Sequence, residues 1–199
     1  MIAKTDIVLD VGFWGQGVQY SDKNWVHKLL HHSAREVYGI DLNFDPSKLD
    51  NPSNYKIGNA ENFAFDIKFD VIFAADLIEH LSNPGLFLES CKKNLRNGGR
   101  LIITTPNCFN LFNMAEKVSK QEPTVNSDHT CYFNVKTLKQ LLDKNSWHIT
   151  KTAFIYKLDS NFNESFKKKF LNLLYFVLAK LTPKFLETLV IVAGPNIDQ

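Results

Sequence analysis

The stretch "ADLIEH" brings two carboxylates and an imidazole close together in the chain: Asp76, Glu79 and His80. If residues 76–80 form a helical turn, Asp76 and Glu79 share a face and His80 lies one turn away from Asp76. Such a trio can hold a divalent cation such as Mg²⁺, which would orient a hydroxyl group and acidify it. In the alternative interpretation, Glu79 and His80 only tie this loop to neighbouring backbone.

A second histidine that could take part in a reaction is His129, in "SDHTCYF". A neutral imidazole at this position, or at His80, could take a proton from an attacking hydroxyl. The alternative for His129 is a loop histidine that fixes a lid through hydrogen bonds. The other histidines of interest, in "HKLLHH" at 27–32, have metal-ligand spacing, but we expect them on a solvated helix face.

The turn after the first apolar run has the composition of a ligand loop. "DIVLDV" (6–11) is followed by glycines at 12, 15 and 17, with Phe13-Trp14 between the first two. Glycine lets the backbone approach a ligand closely and take positive φ. The loop alone is weak evidence for a cofactor site, because an ordinary strand end has the same composition.

Two further polar positions follow predicted strands. Asp41 lies near the end of "YGIDL" (38–42), and an acid at the end of a second strand accepts hydrogen bonds from the hydroxyls of a ribose. The alternative is a capping or solvated aspartate. In "GNAENFAF" (58–65), Asn59 and Glu61 could meet the amine of an adenine, and the backbone of Ala60 its ring nitrogen.

Strands and helices alternate along the chain, which predicts an α/β fold with a mostly parallel sheet and helices on both faces. In such a sheet, ligands bind at the carboxyl ends of the strands. We expect helices at 21–34, 83–96 and 134–144, the second ending at Gly98-Gly99. The seven predicted strands are 6–11, 36–42, 55–58, 69–77, 99–106, 147–158 and 187–194.

Composition limits the class of protein. The 199 residues suit a single domain, and 44% hydrophobic residues can bury a core. A net charge of +2 gives no reason to expect a nucleic-acid partner. Three cysteines without a Cys-x-x-Cys pattern predict reduced thiols in a cytoplasmic protein. The start of the chain does not read as a signal peptide, and no stretch is long and apolar enough for a membrane span.

The order of these motifs resembles the class I S-adenosylmethionine-dependent methyltransferases. The resemblance runs through residues 6–107, with a weaker echo at 128–142, and "EHLSNP" and "NLRNGGRLIITTPN" are its most specific parts. It is similar to the branch of ubiquinone-biosynthesis, sugar and natural-product O-methyltransferases. The trio resembles the metal-binding acid-x-x-Glu-His motif of the ubiquinone-pathway enzymes, with Asp76 in place of glutamate, whereas many metal-independent relatives also carry a Glu-His pair here. The resemblance implies a Rossmann-like fold that binds S-adenosylmethionine.

The resemblance also assigns site residues. Gly12 and its neighbours would contact the methionine moiety, Asp41 the ribose, Asn59 with Ala60 the adenine, and Ala75 with Asp76 would lie beside the sulfonium. The full predicted cofactor set is Asp10, Gly12, Phe13, Gly15, Gly17, Asp41, Leu42, Asn59, Ala60, Glu61, Ala75 and Asp76.

The glycine loop departs from the family pattern. The family spaces its glycines two, four and six residues after the acid, whereas here they fall two, five and seven residues after Asp10. Trp14 would either line the pocket or pack against the first helix. The shifted spacing is also the best support for the alternative function, a non-catalytic S-adenosylmethionine-binding subunit or regulator.

Two segments would select the acceptor within the single domain of residues 1–199. These are insertions at 108–130 and 162–185, the second containing an apolar helix. Residues 164–185 would form core, a homodimer contact or a peripheral membrane contact. Only about six residues precede the first strand, so we expect no N-terminal helical lid. An open pocket suits a small-molecule, glycan or glycolipid acceptor, with O-methylation as the expected reaction.

Overall fold

The computed structural model describes residues 1–15, 25–120, 126–155 and 182–196, and its strands form one seven-stranded sheet. Gly17 and most of the 162–185 insertion, including the proposed dimer or membrane contact, lie outside the described residues. All seven predicted strands are confirmed. They are β1 Ile7–Val11, β2 Glu36–Asp41, β3 Tyr55–Ile57, β4 Phe69–Ala75, β5 Leu95–Pro106, β6 Trp147–Ile155 and β7 Thr188–Pro195.

The strand order creates a ligand crevice. It is β3-β2-β1-β4-β5-β7-β6, with parallel pairing from β3 through β5 and β7 antiparallel to both β5 and β6. The order reverses between β1 and β4, and in open α/β sheets ligands bind beyond the carboxyl strand ends at such a point. The ends of β1, β2 and β4 therefore position the site.

Helices cover both faces of the sheet, as predicted. Side chains alternate along a strand, so Leu9 of β1 packs in one buried cluster and Val8 in another on the opposite face. The first cluster includes side chains of α2 (Pro84–Asn94) and α4 (Val135–Lys144), and the second includes Leu30 of α1 (Val26–His31). No helix within these described ranges is long and apolar enough to cross a membrane.

The structure corrects several helix boundaries. α1 spans Val26–His31, so it ends before the predicted residue 34, and the predicted start at 21–24 lies outside the described residues. α2 ends at Asn94, and β5 starts at once with Leu95 paired to Phe69, so Gly98 lies inside the strand at φ +75° instead of capping the helix. The 108–130 segment contains a helix that the sequence did not predict, α3 (Leu111–Lys120).

The prediction of solvated histidines at 27–32 is wrong for His27. Its side chain is only 2% exposed, because its Nδ1 lies 2.8 Å from Oδ2 of the buried Asp10. His31 and His32 are exposed, as expected.

The α2 face should contribute strongly to stability. Phe87 is fully buried against the sheet, whereas its neighbour Leu86 is 43% exposed. We expect Phe87→Ala to lower the free energy of unfolding by about 3–5 kcal/mol, because it removes buried apolar area and leaves a cavity. Urea denaturation measures the change, with Leu86→Ala as the matched control that should cost far less. Equal losses in both variants would contradict this packing.

Candidate active site

A cleft of about 190 Å³ lies at the carboxyl ends of β1 and β2. Its position is the one that the reversal of strand order predicts. Several members of the predicted cofactor set meet here, together with apolar residues that sequence reasoning missed. The described lining residues are Gly12, Trp14, Ile40, Asp41, Leu42, Gly58, Asn59, Ala60, Leu77, His80 and Leu81.

Gly12 begins the turn above the cleft, and a side chain would not fit at this position. Its φ is +75°, and a Cβ built on it would lie 2.9 Å from Leu77 Cδ1. Its N–H donates to the carbonyl oxygen of Ile40 at 2.8 Å, which joins the ends of β1 and β2. Gly15 also has positive φ, at +92°, so the altered spacing still places glycines where the backbone needs them.

Phe13 and Trp14 show how the loop accommodates its extra residue. Phe13 is buried in an aromatic cluster, with its ring centroid 5.3 Å from that of Phe44 and 5.1 Å from that of Tyr55. Trp14 lines the cleft and also packs edge-on against Trp25, which precedes α1. Both interpretations of Trp14 therefore hold, and the Phe13 side chain points into the core rather than the cleft.

Asp41 lies at the end of β2 and organises this side of the cleft. Its Oδ2 accepts a hydrogen bond from the Trp14 N–H at 2.8 Å, and its Oδ1 one from the Asn43 N–H at 3.3 Å. Burial raises the pKa of Asp41, and these backbone hydrogen bonds partly offset that effect. A carboxylate has about four acceptor positions, so it keeps capacity for ligand hydroxyls.

The two polar residues after β3 have different positions. Asn59 and Ala60 line the cleft, and Asn59 Oδ1 accepts a hydrogen bond from the Glu61 N–H at 2.8 Å. The Glu61 carboxylate instead accepts from the Asn83 N–H at 2.7 Å, at the start of α2. Within the described chain, Glu61 therefore holds the turn to α2 and is not a lining residue.

Asp76 does not join the turn that follows it. Its φ is +44°, its N–H donates to Thr104 O at 2.9 Å, and Thr104 Oγ1 donates to its carboxylate at 3.0 Å. The helical turn begins only at Ile78 and ends at His80. The expected shared face of Asp76 and Glu79 is therefore wrong. Neither Ala75 nor Asp76 is among the described lining residues.

The structure instead brings His129 to Glu79 and His80. One ligand-type atom from each of the three lies within 4.8 Å of the others, and the two imidazole rings meet edge-on at 4.6 Å. Backbone hydrogen bonds hold the segment in place, with Thr130 N–H donating to Glu79 O at 2.8 Å. His80 Nδ1 lies 3.2 Å from Asp128 O. A carbonyl only accepts, so His80 Nδ1 carries the proton and Nε2 the lone pair.

This trio does not fit Mg²⁺. It offers one carboxylate and two imidazoles, whereas Mg²⁺ prefers carboxylate, carbonyl and water oxygens. Of the three residues, His80 lines the cleft.

Glu79 is the most perturbed group of the trio. Its side chain is 1% exposed, and within the described residues Oε1 has no hydrogen-bond partner, while Oε2 accepts from Thr105 Oγ1 at 2.9 Å. Burial raises the pKa of Glu79 from an ordinary 4.5 to about 7. The carboxyl therefore titrates in the range where imidazoles also titrate.

The titration of Glu79 should be visible in stability. Because the folded state holds this proton more tightly than the unfolded chain, the free energy of unfolding should fall as the pH rises from 4.5 to about 7. Glu79→Gln should remove this fall, which amounts to roughly 3 kcal/mol at most. Urea unfolding at pH 5 and pH 8 measures it. Glu89→Gln is the control, since Glu89 is exposed beside Lys93. An unchanged slope in Glu79→Gln would contradict the burial effect.

Comparison with known proteins identifies the family. A model of the methyltransferase domain family matches residues 15–152, more than half of the chain. The chain belongs to this family, with the Rossmann-like fold of the class I S-adenosylmethionine-dependent methyltransferases.

Curated relatives point to one branch. The ubiquinone biosynthesis O-methyltransferase of Caulobacter vibrioides is 29% identical over 97 residues, which is 49% of this chain and 34% of the relative. The mitochondrial enzyme of the same name from Mus musculus is 27% identical over 117 residues, which is 55% of this chain and 31% of the relative. The matches thus span about a third of the length of these relatives.

Solved structures share the fold at lower identity. A complex between the Haloferax volcanii Trm112 methyltransferase activator and a methyltransferase aligns with a TM-score of 0.64 and 14% identity, covering 100% of this chain and 85% of that one. The 1,6-didemethyltoxoflavin-N1-methyltransferase of Burkholderia thailandensis, solved with S-adenosylhomocysteine, aligns with a TM-score of 0.61 and 16% identity, covering 98% and 72%.

Proposed function

We propose that this protein transfers a methyl group from S-adenosylmethionine to a hydroxyl oxygen of a small-molecule or glycolipid-type acceptor. The observation that carries the proposal is the juxtaposition of two features. The cleft holds Gly12, Asp41 and Asn59, and His80 with His129 lies at its rim. The cofactor supplies an activated methyl group on its sulfonium sulfur.

The cleft residues suit the parts of this cofactor. Gly12 has no Cβ, so Leu77 packs directly against its backbone, and both residues line the cleft where the cofactor would bind. Asp41 offers carboxylate oxygens to a ribose, and Asn59 with the backbone of Ala60 offers polar groups to an adenine. Leu77 and Leu81 supply apolar walls.

His129 is the proposed proton acceptor. Burial, and secondarily the neighbouring His80, lowers the pKa of His129, so the imidazole is neutral at physiological pH. A neutral imidazole takes the proton as an acceptor hydroxyl attacks. His80, with Nδ1 directed at Asp128 O, keeps a lone pair on Nε2 and supports the same role.

The acceptor would lie on the apolar side of His129. A second cleft of about 510 Å³ is lined mostly by side chains from the 108–130 segment, including Phe109, Met114 and Val118. Tyr132 lines this cleft and meets the His129 ring edge-on at 6.4 Å. The largely apolar lining favours an acceptor with an apolar body over a bare saccharide.

The altered glycine spacing gives the non-catalytic alternative little support. That reading rested on the extra residue in the glycine loop. The buried side chain of Phe13 accommodates this residue while the Trp14 N–H still reaches Asp41, and the cleft stays open.

Methyl transfer from labelled S-adenosylmethionine tests the proposal. The acceptor panel should contain alkyl-substituted phenols, glycolipids and free saccharides, each assayed with and without added Mg²⁺. We expect labelled methyl ether on an acceptor with an apolar body, with no dependence on Mg²⁺. Cofactor binding without transfer to any acceptor of the panel would instead favour the binding subunit.

A further inference from the structure

Three side chains from α1 and β3 meet outside the lining of the cofactor cleft. His27 and His31 lie one turn apart on α1, and Tyr55 is the first residue of β3. His27 Nε2 is 2.9 Å from the Tyr55 hydroxyl, His31 Nε2 is 3.0 Å from it, and the two nitrogens are 3.3 Å apart. Three potential donor atoms thus form a nearly equilateral triangle.

The triangle has the dimensions of a tetrahedral metal site. With metal–nitrogen bonds of about 2.0–2.1 Å, two ligands of a tetrahedral ion lie roughly 3.3 Å apart. The observed separations differ from this by a few tenths of an ångström at most. Two imidazole nitrogens are a donor set that suits Zn²⁺ and its neighbours in the periodic table, rather than Mg²⁺ or Ca²⁺.

Asp10 orients the buried ligand. Its Oδ2 lies 2.8 Å from His27 Nδ1, and both side chains are almost fully buried. An ionised carboxylate only accepts, so the proton sits on Nδ1 and the lone pair of Nε2 faces the triangle. A carboxylate behind a histidine in this way is the usual outer partner of a metal-bound imidazole.

The surroundings favour a cation and give it access. Asp10 contacts His27, and Asp50 lines the opening beside Tyr55. The same two negative charges would attract a metal ion. Three basic side chains line the same opening and would act against the binding of a cation: Lys28, His32 and Lys48.

We propose that His27, His31 and Tyr55 bind a divalent transition-metal ion of the Zn²⁺ type, independently of the cofactor cleft. The fourth position faces a cleft of about 160 Å³ that also contains Asp50. The ion would join α1 to β3 directly behind the Phe13 aromatic cluster. Its role is structural, holding the cofactor turn from behind.

Zn²⁺ titration of the purified, chelator-treated protein against a chromophoric competitor tests the site. We expect one equivalent to bind, with affinity reduced at least about tenfold in Tyr55→Phe and in His31→Gln. His148→Gln is the matched control, because His148 lies on β6 and does not line this opening. Co²⁺ should give the visible absorption of a tetrahedral ion in the wild type and lose it in His31→Gln.

Two outcomes would overturn the proposal. Absence of Zn²⁺ binding by the folded wild type would mean that hydrogen bonds alone join the three groups. Binding that persists in Tyr55→Phe and His31→Gln but disappears in Glu79→Gln would place the ion at the Glu79, His80 and His129 trio. His31 is exposed, so its substitution should leave the fold intact and keep the test decisive.

Discussion

Gly12→Ala should weaken the binding of S-adenosylmethionine by on the order of 100-fold. The new methyl group would lie 2.9 Å from Leu77 Cδ1 on a residue held at φ +75°. Either the turn or Leu77 must move, and both line the cleft. Displacements of this size in a binding site cost on the order of 100-fold. Calorimetric titration with the cofactor and with S-adenosylhomocysteine measures the loss.

Gly98→Ala is the matched control for Gly12→Ala. Gly98 has the same φ of +75°, but a Cβ there meets nothing within 4 Å. Both variants should lose about 1–2 kcal/mol of stability from the left-handed backbone, and only Gly12→Ala should lose cofactor affinity. Normal binding by Gly12→Ala would show that the turn does not contact the ligand.

His129→Gln should lower kcat by about 10²–10⁴-fold while cofactor affinity stays near the wild-type value. Glutamine keeps a polar side chain of similar reach, but it cannot take a proton at neutral pH. His129 is not among the described lining residues of the cofactor cleft, so binding should be preserved. The measurement is kcat and KM from methyl transfer, together with calorimetry of cofactor binding.

His148→Gln is the control for His129→Gln. His148 lies on β6, where its Nδ1 is 3.0 Å from Asn196 Oδ1, outside both clefts. Its substitution should leave kcat unchanged. If His129→Gln also retained full kcat, the proton-accepting role would pass to His80 or be unnecessary.

The sheet could be predicted from the sequence because its strands are apolar runs bounded by turn residues. The resemblance then identified Asp41, Asn59 and Ala60 from residues that directly follow β2 and β3, where local sequence fixes position. The apolar runs and the family motifs both consist of residues that are close together in the sequence. For that reason the strands could be predicted, and Asp41, Asn59 and Ala60 lie together in one cleft, whereas their contacts with a cofactor stay a prediction.

Features that depend on distant contacts could not be predicted. The burial of His27 depends on Asp10, 17 residues away, and the approach of His80 to Asp128 joins residues 48 apart. Asp76 left the expected helical turn because Thr104 of β5 holds its backbone and carboxylate. Leu77 and Leu81 were missed as lining residues because apolar side chains in a short turn carry no sequence signal of a cleft.

Calorimetric titration of the wild-type protein with S-adenosylhomocysteine, beside Asp41→Ala, tests the central claim most directly. We predict a single site with a dissociation constant on the order of micromolar. Affinity should fall about 10–100-fold in Asp41→Ala, because charge-assisted hydrogen bonds to the ribose are lost. No heat of binding from folded wild-type protein, or equal affinity in the variant, would contradict the assignment of this cleft to the cofactor.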